Sequence, residues 1–229
     1  MKNKIIIISL IILSIIISFF YIKYHYERII IDNNKYTQIS KTDNSLRKKI
    51  KIYYPITNYK KLNNEIKKNI NKYYNEFNNL TKSYKISNDM YYTFYVLYDE
   101  YYYKDYISIV LYIEQFLGGA HPDHFIHTIT YNTTNNEFIN ISNLIELNNN
   151  LLNKLSVISI EKLKENIKFQ NKYDKNKLIE GTSPIINNYK NFAITDKGLN
   201  IYFEYYQIAP YYYGYSEITI PYNEINLVL

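Results

Sequence analysis

The chain has 229 residues, 47% of them apolar, no cysteine and a formal net charge of +6. That is enough apolar chain for one medium domain or two small ones, and the missing thiols exclude disulfide frameworks, thiolate zinc sites, cysteine nucleophiles and lipobox lipidation. Lys and Arg outnumber Asp and Glu up to about position 80 and the balance reverses after it, so the first part suits anionic lipid or wall polymer and the distal part a cationic partner.

Ile5 to Ile22 is almost wholly Ile, Leu and Phe behind Lys2 and Lys4, a length that just spans a bilayer. Phe19-Phe20-Tyr21 offers no small-residue cleavage site, so residues 5–22 are expected to be an uncleaved transmembrane anchor. Residues 1–4 would then form a cytoplasmic head, residues 23–45 a polar stalk without periodicity, and the folded part would be extracytoplasmic.

A first α+β lobe is expected over 46–116. Lys49-Ile50-Lys51-Ile52-Tyr53-Tyr54 alternates with period two and stops at Pro55, which predicts a strand. From Tyr59 the period changes: Leu62, Ile66, Ile70, Tyr73, Phe77 and Leu80 make one stripe of an amphipathic helix. Met90 to Tyr98 and Tyr106 to Phe116 predict an antiparallel hairpin, with Ile107, Ile109, Leu111 and Ile113 on its buried face.

The second lobe, 117–229, opens on Gly118-Gly119-Ala120-His121-Pro122, a stiff corner in a chain with only five glycines. Gly118 and Gly119 admit positive φ, and Pro122 pushes His121 towards extended backbone. Strands follow at His124 to Tyr131 and Phe138 to Ile141, with Ser142 as an expected N-cap. A helix carries Leu151, Leu152, Leu155, Ile158, Ile160, Leu163 and Ile167, and a polar loop runs to Gly181. Strands close the chain at Phe192–Thr195, Leu199–Tyr205 and Glu217–Ile220. In the middle one Leu199, Ile201 and Phe203 alternate with Asn200, Tyr202 and Glu204, so one face is expected to be solvated. The sum is an α+β protein of two abutting lobes of antiparallel strands, each with one main helix, after an N-terminal transmembrane helix.

His121, His124 and His127, with Asp123 among them, form the one cluster suited to metal or acid–base chemistry. In an extended chain His124 and His127 point to opposite faces, whereas His121 and Asp123 share one. Further zinc ligands would have to come from residues such as Asp196 or Glu217, so no metal and no cofactor is assigned. Asp99 and Glu100 read as solvated. No nucleophile elbow, phosphate-binding loop or His-Glu-x-x-His pair occurs, and nucleic acid is not an expected partner. Tyr211, Tyr213 and Tyr215, on a loop stiffened by Pro210 and Gly214, could stack on sugar rings, anchor a protein interface or plug the end of a sheet. The 30 tyrosines as a whole read first as composition, since Lys, Asn, Ile and Tyr all have AT-rich codons.

In order along the chain come Phe116-Leu117-Gly118-Gly119-Ala120-His121-Pro122, Phe138-Ile139-Asn140-Ile141-Ser142-Asn143-Leu144, Phe192-Ala193-Ile194-Thr195-Asp196-Lys197-Gly198-Leu199, Tyr206-Gln207-Ile208-Ala209-Pro210-Tyr211 and Ile218-Thr219-Ile220-Pro221-Tyr222. This set resembles the extracytoplasmic domain shared by RsiV-type anti-sigma factors and the N-terminal, non-catalytic part of PdaC-type peptidoglycan deacetylases. Lys51 to Phe77 resembles the companion region that precedes it there. The resemblance implies an exported α+β domain, which in RsiV-type proteins binds lysozyme. With four residues before the expected anchor and a chain ending at Leu229, neither the anti-sigma arm nor the deacetylase domain is expected. The expected protein is a membrane-anchored binding module for lysozyme or a cell-wall glycan, using His121, Asp123, Tyr211, Tyr213 and Tyr215. The alternatives are a wall-polymer hydrolase acting through His121 and Asp123, or a structural envelope protein.

Overall fold

The alternation at Lys49–Tyr54 becomes strand β3 (Lys48–Pro55), and the stripe from Leu62 becomes helix α1 (Lys60–Leu80), which buries Leu62, Ile66, Ile70 and Phe77. This computed structural model describes residues 29–33, 36–165 and 174–229. The apolar segment 5–22 and Ile167 lie outside the described residues, among which no helix is long and apolar enough to cross a membrane.

Residues within the expected stalk form β1 (Ile29–Asn33) and β2 (Tyr36–Asp43), and β2 pairs antiparallel with β3. The side chains from Tyr36 to Thr42 are all half-buried, so hydrogen bonding to β3 makes the strand without an apolar alternation to announce it. After α1 the chain returns as β4 (Tyr92–Tyr103), parallel to β3; a long helical crossover is what permits a parallel pair. β4 runs five residues beyond the expected end at Tyr98. It turns at Lys104, whose φ is +50°, into β5 (Tyr106–Phe116). Then β6 (Asp123–Asn132) and β7 (Glu137–Ile139) complete a seven-stranded sheet in chain order. The sheet thus continues through the Gly118–Pro122 corner: β5 and β6 pair from Tyr106↔Asn132 to Gln115↔Asp123.

The second cluster of buried side chains begins at Ile141. Helix α2 (Ile141–Leu147) is capped by Asn140, not Ser142: the Asn140 side chain accepts from the Ser142 and Asn143 amides, and Asn143 returns a bond to the Asn140 amide at 3.0 Å. Helix α3 (Leu151–Glu165) buries Leu151, Leu155 and Leu163. Within the expected polar loop, Asp174 caps a further short helix, α4 (Lys175–Gly181). Strands β8 (Phe192–Ile194), β9 (Leu199–Phe203) and β10 (Ser216–Ile220) form a three-stranded antiparallel sheet with β9 in the middle, and α5 (Tyr222–Ile225) follows.

The architecture is therefore mixed α+β with two sheets and several helices. One face of the large sheet packs on α1 through Ile50, Ile52, Phe94, Val96, Ile109 and Leu111. The small sheet packs one face on α2 and α3 through Leu199, Ile201 and Phe203. Its other face, expected to be solvated, lies against the large sheet: Tyr202 and Ala193 pack with Val110 and Ile126, and β9 is buried along its whole length. Period-two alternation marks two different environments, and here both are interior.

Candidate functional site

The register lays out the outer face of the large sheet in rows across β4, β5 and β6: Tyr101, Ser108 and Thr130; Asp99, Val110 and Thr128; Leu97, Tyr112 and Ile126; Tyr95, Glu114 and His124. The small sheet sits over the first two rows, where the Ile194 amide donates to Ser108 Oγ at 2.9 Å and the Phe192 amide to Thr128 Oγ1 at 3.1 Å. In the last two rows Ile126 is buried against Tyr202 and Tyr112 meets Tyr202 edge-on, whereas Tyr95, Leu97, Glu114 and His124 keep part of their surface exposed. They floor a cleft of about 690 Å³ walled by Tyr53, Tyr205 and Tyr215, a size within the roughly 300–1,000 Å³ usual for small-ligand sites. Leu97 on its floor is 58% exposed.

Polar groups punctuate this aromatic surface. The Tyr112 hydroxyl donates to Asp99 Oδ2 at 2.9 Å; burial first, then that bond, pushes its pKa up, so it stays a donor at any physiological pH. His124 stacks on Tyr205 with centroids 4.4 Å apart and planes 10° apart. The Tyr211 hydroxyl donates to the Pro122 carbonyl at 3.0 Å, leaving its oxygen to accept from His124 Nε2, also at 3.0 Å. The ring proton of neutral His124 therefore sits on Nε2, and bare Nδ1 faces Glu114 Oε2 at 3.8 Å. Burial lowers the His124 pKa and outweighs the opposing pull of Glu114 and Asp123, so at neutral pH this contact is not an ion pair.

The corner that joins β5 to β6 buttresses this edge of the cleft. Gly118 has φ +95°, and a Cβ there would lie 3.3 Å from Ile86 Cγ1; at Gly119 a Cβ would make only an ordinary contact, 3.9 Å from the His121 carbonyl. His121 stacks on Tyr211 with centroids 3.7 Å apart. Its Nδ1 lies 3.0 Å from the Pro122 carbonyl and its Nε2 3.4 Å from the Tyr206 hydroxyl. Asp123 instead meets Gln115 Nε2 at 3.5 Å. His121 and Asp123, expected to share a face, thus hold separate partners, with the imidazole stacked on Tyr211. His124 and His127 do face opposite ways: His127 lies edge-on to Tyr73 of α1. Glu217 bonds to Asn200 at 2.8 Å, and among the described residues no three His, Asp or Glu side chains converge on a point.

Of the three loop tyrosines, Tyr211 and Tyr215 reach the cleft region, whereas Tyr213 packs against the core beneath the small sheet. The turn at Tyr211–Tyr213 makes the difference: three successive residues of a 3₁₀ turn point three ways, and Gly214, at φ +73°, then redirects Tyr215. Sequence reasoning missed Tyr53, Tyr95, Tyr112, Glu114 and Tyr205, and named His124 in the histidine cluster without giving it a binding role. The even-numbered residues of β5 carried a signal, since Tyr112 and Glu114 lie on the face opposite the isoleucines.

Two family models match the chain. Residues 35–124 match the one described as Deacetylase PdaC, and residues 142–223 the one described as Protein of unknown function (DUF3298). A curated relative, the peptidoglycan-N-acetylmuramic acid deacetylase PdaC of Bacillus subtilis, is 33% identical over 119 residues, 52% of this chain and 25% of the relative; the match thus spans about a quarter of that protein. Two solved structures share the fold. A DUF3298 family protein from Pseudomonas aeruginosa superposes with a TM-score of 0.58 at 14% identity, covering 88% of this chain and 92% of its own. A second from Bacteroides fragilis gives 0.53 at 16% identity, covering 88% and 91%. The cleft straddles both matched stretches, taking Tyr95, Tyr112, Glu114 and His124 from the first and Tyr205 and Tyr215 from the second.

Proposed function

From a chain that joins a PdaC-type region to a DUF3298 region, we propose a cell-wall-associated binding module that seats a wall glycan in the aromatic cleft between its two sheets. Residues 5–22 anchor it in the membrane and the folded part works outside. The carrying observation is the partly open half of the large sheet, where Tyr53, Tyr95 and Tyr112 line a concave surface beside Asp99 and Glu114. Sugar rings present flat C–H faces that pack on aromatic rings, and hydroxyl edges that donate to carboxylates. The B. subtilis relative's name, a peptidoglycan deacetylase, supports a wall polymer as the substrate class.

A second reading, a basic protein partner such as lysozyme, is favoured by one observation: Tyr206, packed on Tyr211, and Tyr212, the next residue of that loop, stand exposed, the latter at 76%, as anchors of an interface would. Calorimetric titration of the full chain with soluble muropeptide chains, and separately with lysozyme, decides between them. Saturable binding of the glycan that Tyr112→Ala and Tyr215→Ala weaken about tenfold, while Tyr212→Ala does not, is the expected result. Heat with lysozyme alone, lost in Tyr212→Ala, would move the site to the loop; no heat with either removes the cleft from consideration.

A further inference from the structure

We propose that the cleft reads a free amine: its ligand is a glycan with an unacetylated amino group, held against Asp123 by the Tyr205 and Tyr211 rings. This rests on the glycan reading of the same cleft. Beyond the stacked His124 and Tyr205 lies a second cavity of about 290 Å³, lined also by Asp123, Glu204, Tyr206 and Tyr211. His124, Phe125 and Tyr205 belong to the walls of both cavities. A chain of sugar rings lying in the first therefore has a side compartment that shares these walls.

The charge of that compartment is the informative feature. Asp99 and Glu114 line the first cavity, Asp123 and Glu204 the second, and no Lys or Arg lines either, in a protein whose net charge is +6. Two cations stand nearby: Lys190 pairs with Glu204 at 3.0 Å, and Lys51 lies over the ring of Tyr95, a wall of the first cavity, at 5.8 Å. Tyr205 and Tyr211, with centroids 5.1 Å apart, and Tyr206, 5.6 Å from Tyr211, line the same space, Tyr205 with one face stacked on His124 and Tyr211 with one face stacked on His121. Rings beside a carboxylate are the combination that favours an ammonium group, which gains from both the ring quadrupole and the charge. An anionic glycan would meet the carboxylates of Asp99, Glu114 and Asp123, with Lys190 already paired to Glu204, so the cleft also selects against that class.

The test compares two probes on the full chain: the tetramer of N-acetylglucosamine and the fully de-acetylated glucosamine tetramer, titrated at low salt and a pH at which the amines are protonated. The de-acetylated tetramer is expected to bind about tenfold tighter, with the advantage shrinking as salt is raised. Asp123→Asn is expected to collapse the ratio of the two affinities; Glu204→Gln serves as a second variant, and a melting curve shows that each is folded. Equal or weaker binding of the de-acetylated tetramer, or a preference that survives both variants, overturns the amine assignment while leaving the glycan reading in place. A tri-lysine peptide that binds as tightly as the amine tetramer overturns the sugar assignment, and binding of neither tetramer overturns both.

Discussion

The two glycines of the corner look alike in sequence and differ in what they permit, which makes Gly118→Ala against Gly119→Ala a direct test of the geometry. At Gly118 the backbone sits at φ +95° and an added methyl would lie 3.3 Å from Ile86 Cγ1 and 3.4 Å from the Lys85 carbonyl. A side chain forced into such a region costs about 1–3 kcal/mol, partly offset by the roughly 0.4–1 kcal/mol that any Gly→Ala change gains by stiffening the unfolded chain. The net expectation is a loss of about 1–2 kcal/mol. At Gly119 the nearest atom to a new methyl is the His121 carbonyl at 3.9 Å, and φ is outside the glycine-favouring region, so only the gain remains. Equilibrium urea unfolding followed by far-ultraviolet dichroism should separate the two midpoints by about 1 M, taking a slope of about 2 kcal/mol per molar. A Gly118→Ala midpoint equal to or above that of Gly119→Ala would refute the assignment of strain to position 118.

Two more outcomes follow from the loop and from the histidines. Tyr213→Ala, which removes a partly buried ring packed against the core, is expected to lower the melting temperature, whereas Tyr212→Ala, exposed at 76%, should leave it nearly unchanged; matching melting curves for the two would contradict the packing. Burial lowers the pKa of both His124 and His127 below their ordinary 6.5. The unfolded chain therefore binds protons there before the folded one does, and stability is full above about pH 6.5 and falls as pH drops through the lowered folded values. Melting temperature scanned from pH 8 to pH 5 should show that fall, and His127→Gln should shrink it; an unchanged slope would mean that His127 titrates as it does in water.

How much of this was legible depends on whether a residue's role is local. The α1 stripe and the alternation of β3 were readable because one face meets the core and the other meets water. Thus Leu62, Ile66, Ile70 and Phe77 are buried as spaced. β2 was not, since its side chains from Tyr36 to Thr42 are all half-buried and its partner supplies the reason it is a strand. The face of β9 carrying Asn200 and Tyr202 read as solvated because a tyrosine and an amide are consistent with water; docking of one sheet on another is a tertiary event that period-two alternation does not encode. The corner and the Tyr211–Tyr215 loop stood out by their glycines and prolines, and the structure brings them together through the His121–Tyr211 stack. The other half of the cleft is spread over β3 to β6; Tyr112 and Glu114 were marked by the alternation of β5, whereas Tyr53 and Tyr95, in a chain with 30 tyrosines, carried no local mark.

The two hydroxyls that receive β8 have a consequence for how the protein would fail. In a three-stranded sheet the outward amides of an edge strand are the ones free to recruit a strand from another molecule. At β8 those amides, on Phe192 and Ile194, end on Thr128 and Ser108 of a different sheet. Self-association through this edge thus requires the small sheet to lift off first, with both cores still intact. Ser108→Ala together with Thr128→Val would expose a sticky strand in an otherwise native molecule, and a tendency to form oligomers at temperatures well below melting is the behaviour to expect from it.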